Sequence, residues 1–174
     1  MGNHCPAAST NQRALEYTPR PVFLFVFRKS VANYRKVNTL SGIDAAYIAG
    51  LIDGEGTVSL LRKHKQDNRQ VVVSISNTDC PLINYLLEAI GAGKATGKRT
   101  YSERHTPSFT YAITNRHALD LLRQVAPYLR TYKARRTELL LADYIRLTPR
   151  NGRYSLAGAL ERAAFIEAFF AIEP

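Results

Sequence analysis

The spacing of hydrophobic and polar residues predicts both helices and strands in this chain. Residues 45–53 are almost all apolar or small, which indicates a helix buried on more than one side. Asp44 is its predicted N-terminal cap, and Gly54 follows its predicted last residue. Alternating residues predict two hairpins, formed by residues 57–63 with 70–76 and 94–101 with 108–114. Helical spacing predicts further helices at residues 80–90, 116–125, 133–147 and 156–172.

The order of these elements predicts an α+β fold of αββαββα type. One antiparallel sheet would carry the helices on one face, and its other face would be open, polar and rich in hydroxyl and basic groups. A sheet of this kind can enter the major groove of DNA. The longest apolar run, at residues 22–27, is too short to span a bilayer, so we expect no membrane span.

The length of the chain, 174 residues, is that of one ordinary domain. Pro6, Pro19 and Pro21 argue against a long regular element near the N-terminus. We therefore interpret residues 1–40 as a basic, poorly ordered tail and residues 41–174 as a single domain. A transit peptide and a basic arm that binds nucleic acid are both compatible with this tail.

The charge of the chain narrows the class of partner. A formal net charge of +10 and a pI of about 9.9 predict a polyanionic partner, most simply nucleic acid, although charge also serves solubility. The two cysteines, Cys5 and Cys80, cannot form a disulfide framework or a four-thiolate zinc site. We therefore expect a reducing, intracellular compartment, and oxygen ligands for any metal.

The segment at residues 48–56 reads IAGLIDGEG, and it resembles the motif that names the LAGLIDADG homing endonucleases. Ile48, Gly54 and Glu55 depart from the eponymous letters, but Glu55 keeps a carboxylate. The resemblance continues through both predicted hairpins to about residue 145. It implies a sequence-specific endonuclease that breaks a long, pseudo-palindromic double-stranded DNA site and promotes mobility of its host intron. The site of action would be the cytoplasm of a prokaryote or the interior of an organelle.

Phosphodiester hydrolysis explains why an acidic residue would stand at the end of this motif. Carboxylates at a helix end can hold divalent cations, which generate hydroxide and neutralise phosphate charge. The resemblance implies that Glu55 and the backbone carbonyl of Gly54 bind Mg²⁺, for which Mn²⁺ could substitute. It also implies that Asp53 is a structural cap at the helix pair. A solvated acid in a turn is the alternative for Glu55, and a simple helix terminator is the alternative for Gly54.

The number of motif copies predicts the oligomeric state. Residues 156–161 imitate the opening letters, but no Gly-acid-Gly sequence follows them, so the chain has one copy. A single copy implies a homodimer, in which two small-faced helices pack about a two-fold axis and each subunit supplies one Glu55. The predicted dimer seam and helix cap consist of Ala46, Ala49, Gly50 and Asp53.

Two further residues are candidates for catalysis by resemblance. Asn77 stands at the end of the second predicted strand, where a polar side chain in the family helps to position the attacking water. Capping of the next helix is its alternative role. Lys133 follows a proline-aromatic-leucine run and would stabilise charge on the phosphate, whereas a plain surface or phosphate-contacting lysine is the alternative.

The residues that we predict to contact DNA lie on the open sheet face or in the turn of the first hairpin. Lys65 and Arg69 in the turn would reach phosphates, and the others would face the groove. The full predicted set is Ser59, Lys63, Lys65, Arg69, Gln70, Ser74, Thr96, Lys98 and Thr110.

Two other functions are compatible with such a fold. An RNA-binding maturase would use it to help the host intron RNA splice, but it would have no need for the acid at Glu55. A DNA-binding regulator would usually add a helix-turn-helix domain, and we see no room for one after residue 147.

Overall fold

The chain, in a computed structural model, is described at residues 36–97, 106–149 and 152–174. In chain order it forms α1 (Gly42–Glu55), β1 (Gly56–Leu61), β2 (Gln70–Asn77), α2 (Cys80–Ile90), β3 (Lys94–Gly97), β4 (Phe109–Thr114), α3 (Asn115–Val125), a 3-10 turn (Ala126–Tyr128), α4 (Tyr132–Asp143) and α5 (Leu156–Ala171). The predicted α+β architecture and its αββαββα order are confirmed.

The two hairpins join into one antiparallel sheet with the strand order β1-β2-β4-β3. Val73 of β2 lies opposite Val58 and Ile113, whereas Ser74 lies opposite Thr57 and Ala112. Because residues that pair across strands share a face, one face of the sheet is apolar and the other is mainly polar. The apolar face carries Val58, Leu60, Val71, Val73, Ile75, Tyr111 and Ile113, all of which are buried.

The helices α1, α2 and α3 contact the sheet and close the core on its apolar face. Ile48 and Ile52 of α1 are fully buried there. The chain passes from α1 into β1 without a loop, at Gly56. A Cβ atom at Gly56 would lie 2.6 Å from the Cα of Ile52, so only glycine permits this close approach. The end of α1 is thereby held at the start of the sheet.

The start of α1 differs from the prediction. Ser41 is the N-cap, since its Oγ accepts a hydrogen bond from the Asp44 backbone N–H at 3.1 Å, so the prediction of Asp44 as cap is wrong. Asp44 instead accepts hydrogen bonds from Ser41 and Tyr85, which lower the pKa of its carboxyl group. At its other end α1 continues through Gly54 to Glu55, beyond the predicted limit.

Residues 36–40 lie within the domain and not in the tail. Val37 is buried in the core, and the backbone N–H of Asn38 donates to the carbonyl of Ile90 at 2.9 Å. These contacts tie the segment to the end of α2. The predicted domain boundary at residue 41 is therefore several residues too late.

The helix α5 packs on α4. Arg162 of α5 is buried, and its guanidinium donates to the carbonyls of Leu147 and Arg69 at 2.9 and 2.6 Å. A buried guanidinium needs such acceptors, because an unpaired buried charge is costly. No helix within the described ranges has both the length and the apolar character needed to cross a bilayer.

Candidate active site and nucleic-acid interface

The acid of the motif meets the end of β2. Glu55 is the last residue of α1 and is exposed, and the Asn77 Nδ2 donates to its Oε2 at 2.6 Å. The structure thus brings together two predicted site residues that stand 22 positions apart in the chain. They share an open cavity of about 300 Å³, which is lined by Glu55, Ser76, Asn77, Thr78 and Ser108. Ser76, Thr78 and Ser108 are absent from the predicted site.

Asn77 makes a second hydrogen bond, to the backbone just before α2. Its Oδ1 accepts a hydrogen bond from the backbone N–H of Asp79 at 2.8 Å, at the start of α2. A backbone N–H can only donate, so the amide oxygen must face Asp79 and the amide nitrogen must face Glu55. Asn77 thus contacts both Glu55 and the residue before α2, whose N-cap is Asp79, and its role in positioning the attacking water stays a prediction.

Lys133 lies at the end of α1, with its side chain turned inward. Its Nζ donates to the carbonyls of Ile52 and Asp53 at 2.8 and 2.9 Å, and the residue is only 6% exposed. Burial lowers the pKa of the lysine, which the nearby Asp53 carboxylate opposes. Both carbonyls lie in the last turn of α1, and that of Ile52 also accepts from the backbone N–H of Gly56. The contact of Lys133 with phosphate stays a prediction.

Asp53 differs from Glu55 in that both oxygens of its carboxylate accept hydrogen bonds from the chain. Its Oδ2 accepts from the backbone N–H of Arg130 at 2.7 Å, and its Oδ1 accepts from the Thr131 hydroxyl at 2.6 Å. Thr131 is the N-cap of α4, so Asp53 fastens the start of α4 to the end of α1. Within the chain, this acid has a structural role.

One surface of α1, which we call the α1 stripe, is apolar and exposed. It consists of Ile43, Ala46, Tyr47, Gly50 and Gly54, whose spacing places them along one side of the helix. A Cβ atom added at Gly50 or Gly54 would meet no atom within 4 Å, so the surface there is open.

The predicted seam overlaps this stripe only in part. Ala46 and Gly50 belong to it, but Ala49 is fully buried in the core, so the prediction that Ala49 lies in a dimer seam is wrong. The reason is that α1 packs against both the sheet and α3 and buries the Ala49 side of the helix. Asp53, which is half-buried, contacts the start of α4 instead.

A metal site is incomplete within one copy. No group of three or more His, Cys, Asp or Glu residues in the described part of the chain is arranged to hold a metal ion. The available oxygen ligands are the Glu55 carboxylate and the carbonyls at the end of α1, including that of Gly54. This donor set fits a hard cation such as Mg²⁺, provided that further oxygen ligands come from elsewhere.

The polar face of the sheet lies on the side away from the core helices. The register places Ser59, Gln70, Ser74, Thr96 and Thr110 on this face, as predicted, although Ser59 is buried. Thr57 and Ser76 share the face, and the hydroxyls of Ser76 and Thr110 are hydrogen-bonded at 2.9 Å. The same alternation of residues would have indicated both. Lys98 lies outside the described residues.

The turn of the first hairpin carries two exposed lysines and one arginine whose side chain contacts other parts of the chain. Lys63 and Lys65 are exposed, but Lys63 lies beyond the end of β1, which stops at Leu61. Arg69 is half-buried: its Nη1 donates to the carbonyl of Leu60 at 3.0 Å, and its guanidinium lies 4.9 Å from the centre of the Phe170 ring. These contacts use one of the five N–H groups of the guanidinium, and the contact of Arg69 with a phosphate stays a prediction.

Comparison with solved structures shows the fold of LAGLIDADG homing endonucleases. The chain is similar to the homing endonuclease I-CvuI in complex with its target, with a TM-score of 0.62 and 16% identity over 76% of this chain and 83% of that one. The archaeal intron-encoded homing endonuclease I-Vdi141I in complex with DNA gives a TM-score of 0.60 and 16% identity, over 76% and 85%.

Longer chains of the same kind match over about half of their length. The I-LtrWI LAGLIDADG homing endonuclease bound to target DNA matches with a TM-score of 0.50 and 17% identity, over 81% of this chain and 49% of that one. No protein-family model and no curated protein sequence matches the chain. At these identities the likeness establishes the fold.

Proposed function

We propose that this protein is a sequence-specific DNA endonuclease that hydrolyses phosphodiester bonds with the help of a divalent metal ion. The observation that carries the proposal is the exposed Glu55 carboxylate, which Asn77 holds in an open cavity at the end of α1. The shared fold with endonucleases solved on target DNA and the net charge of +10 support double-stranded DNA as the partner. Mobility of a host intron, within a prokaryote or an organelle, is the biological role that this activity would serve.

The protein would act as a homodimer. One chain supplies one Glu55, and the exposed, apolar α1 stripe ends beside it at Gly54. If two copies pack their stripes together about a two-fold axis, both Glu55 carboxylates meet and the two sheets form one continuous surface. The match to about half of the longer I-LtrWI chain supports this arrangement. Two-fold symmetry of the protein would make the target pseudo-palindromic.

The residues around Glu55 would prepare it for this reaction. When bound, Mg²⁺ or Mn²⁺ would lower the pKa of a water molecule and neutralise charge on the phosphate. Glu55 from each subunit and the Gly54 carbonyl would hold the ion. Asn77 fixes the orientation of the Glu55 carboxylate, and Lys133 holds the last turn of α1 by its carbonyls. An RNA-binding maturase would have no use for this arrangement, so we prefer the endonuclease.

The substitution Glu55→Gln tests the proposed chemistry. We expect DNA binding to persist and cleavage to fall by about a thousandfold or more, because the neutral amide lacks the negative charge that a carboxylate offers a divalent cation. The measurement is cleavage of a randomised, partly palindromic DNA library with magnesium or with EDTA, followed by sequencing of the cut ends. Glu138→Gln, which removes an exposed acid of α4, is the matched control. Equal cleavage by the Glu55 variant would refute the assignment.

The substitution Gly50→Leu tests the dimer. The monomer has space for the new side chain, so we expect the domain to fold but the dimer to dissociate, because the side chain would separate the two α1 stripes. Sedimentation velocity measures the change in mass. Ala142→Leu on α4, exposed and outside the stripe, should remain dimeric. A Gly50 variant that sediments as an unchanged dimer would place the interface elsewhere.

A further inference from the structure

A line of hydrogen bonds connects the core with the polar sheet face at the first residue of β2. The backbone N–H of Val71 donates to the Tyr144 hydroxyl oxygen at 3.2 Å, and this hydroxyl donates to Oδ1 of Asn115 at 3.3 Å. The Asn115 Nδ2 then donates to Oε1 of Gln70 at 2.7 Å. The four residues come from β2, the start of α3 and the end of α4, so the line forms only in the folded chain.

The order of donors and acceptors along this line follows from its buried end. Val71 is fully buried and Tyr144 is 3% exposed, so water cannot replace the bonds between them. The backbone N–H can only donate, so the Tyr144 hydroxyl accepts from it, and the buried hydroxyl hydrogen needs an acceptor of its own. Asn115 Oδ1 is that acceptor, which directs the Asn115 NH₂ group at Gln70. Gln70 therefore turns its oxygen toward Asn115.

The backbone of Asn115 keeps this side chain in place. Asn115 has a φ of 55°, and it is the one non-glycine residue with positive φ in the described part of the chain. Asparagine and aspartate tolerate this left-handed conformation better than other residues with a side chain. The sharp change of direction at Asn115 is where β4 ends and α3 begins.

The amide nitrogen of Gln70 is available for a further hydrogen bond. It is half-buried on the polar face, opposite Leu61, and its Nε2 makes no hydrogen bond to any residue that the structure describes. As far as the described residues go, the two hydrogens of Nε2 are left for an external partner.

We propose that Gln70 offers its amide nitrogen to one base of each half-site, and that Asn115 and Tyr144 are the positioning residues that impose this orientation. The inference rests on the proposed function. A glutamine that is free to turn can present either amide atom to a base. Gln70 presents its nitrogen, because its oxygen faces Asn115. It should therefore favour bases that offer acceptors in the major groove, such as guanine through O6 and N7 or thymine through O4, over cytosine, which offers only a donor.

The substitution Asn115→Asp reverses the imposed polarity without changing the shape of the side chain. A carboxylate only accepts hydrogen bonds, so it can receive the Tyr144 hydroxyl but cannot donate to Gln70. Gln70 would then turn its Nε2 toward residue 115 and present its oxygen to the groove. The preferred base should change to one that offers a donor, adenine through N6 or cytosine through N4.

The change is measured by selection of bound sequences from a randomised, partly palindromic DNA library in EDTA. We expect Asn115→Asp to alter base preference by about tenfold at one position in each half-site, and to leave the other positions as in the wild type. In a Gln70→Ala background the same substitution should change nothing, because the reading group is absent. A variant that binds with the wild-type preference at every position would overturn the proposal.

A second measurement tests the polarity without DNA. In side-chain amide hydrogen exchange by NMR, we expect the NH₂ group of Gln70 to exchange fast in the wild type and slowly in Asn115→Asp. Slow exchange at Gln70 in the wild type would overturn the inference. If the NMR result is as expected but the wild type selects no DNA sequence, the proposed function and the reading role fail while the hydrogen-bond line stands.

Discussion

The two ends of β2 each carry a side-chain amide whose orientation is set by a neighbour, but they present it in opposite ways. At Asn77 the oxygen accepts from the Asp79 backbone, and the nitrogen is used on the Glu55 carboxylate. At Gln70 the oxygen accepts from Asn115, and the nitrogen makes no hydrogen bond to the described residues. The strand has eight residues, so the two ends are about 23 Å apart.

Under the proposed function, this difference separates a catalytic end of the sheet from a DNA-recognition end. An amide whose oxygen and nitrogen are both bonded within the chain is held in one orientation and can orient a catalytic group. An amide with one free side can read a base, and its specificity depends on which side is free. Residues of nearly the same chemistry therefore take different roles because of what lies beside them.

Of the substitutions at the two ends of β2, Asn77→Ala should have the largest effect. We expect the rate of DNA cleavage to fall by about 100-fold, because the Glu55 carboxylate loses the group that orients it. Base preference should stay the same, since Asn77 is turned toward Glu55. Single-turnover cleavage of the preferred site measures the rate, and library selection measures the preference.

Gln70→Ala is the matched control for that experiment, since it removes the amide at the other end of the same strand. It should keep the cleavage rate on the preferred site and lose base preference at one position. A rate loss in the Gln70 variant as large as in the Asn77 variant would break the distinction between the two ends.

A smaller effect is expected from Tyr144→Phe, which removes the hydroxyl that links the recognition end to the core. The buried Val71 N–H loses its acceptor, so the free energy of unfolding should fall by about 1–3 kcal/mol. Denaturant unfolding measures it. Discrimination by Gln70 should weaken as Asn115 becomes free to turn. Tyr128→Phe, at an exposed tyrosine, should change the stability by less than about 0.5 kcal/mol.

Several features of this site could be predicted from local sequence, and others could not. Glu55 and Asn77 stand out because each follows a regular element whose end is visible in the sequence. The contacts of Arg69 could not be predicted, because the ring of Phe170 that it contacts lies about a hundred residues away in the chain. The inward position of Lys133 likewise depends on the carbonyls of α1, which only the packing of α4 brings within reach.

Ala49 shows the same limit in a single helix. Since α1 is apolar almost all round, its sequence does not indicate which side meets the core and which stays open. Contacts with the sheet and α3 decide that Ala49 is buried and that Gly50 is exposed.

The order of helices and strands, the acid at the end of α1 and the positive charge all follow from the amino-acid sequence, because each is a property of a residue or of a short period. The faces of α1, the polarity of Gln70 and the partners of the buried cations follow only from the tertiary structure. Those features are contacts between segments distant in the chain. Burial fixes these contacts, because a buried polar group must find a hydrogen-bond partner. Local patterns thus name the groups that can act, and packing decides which way they face.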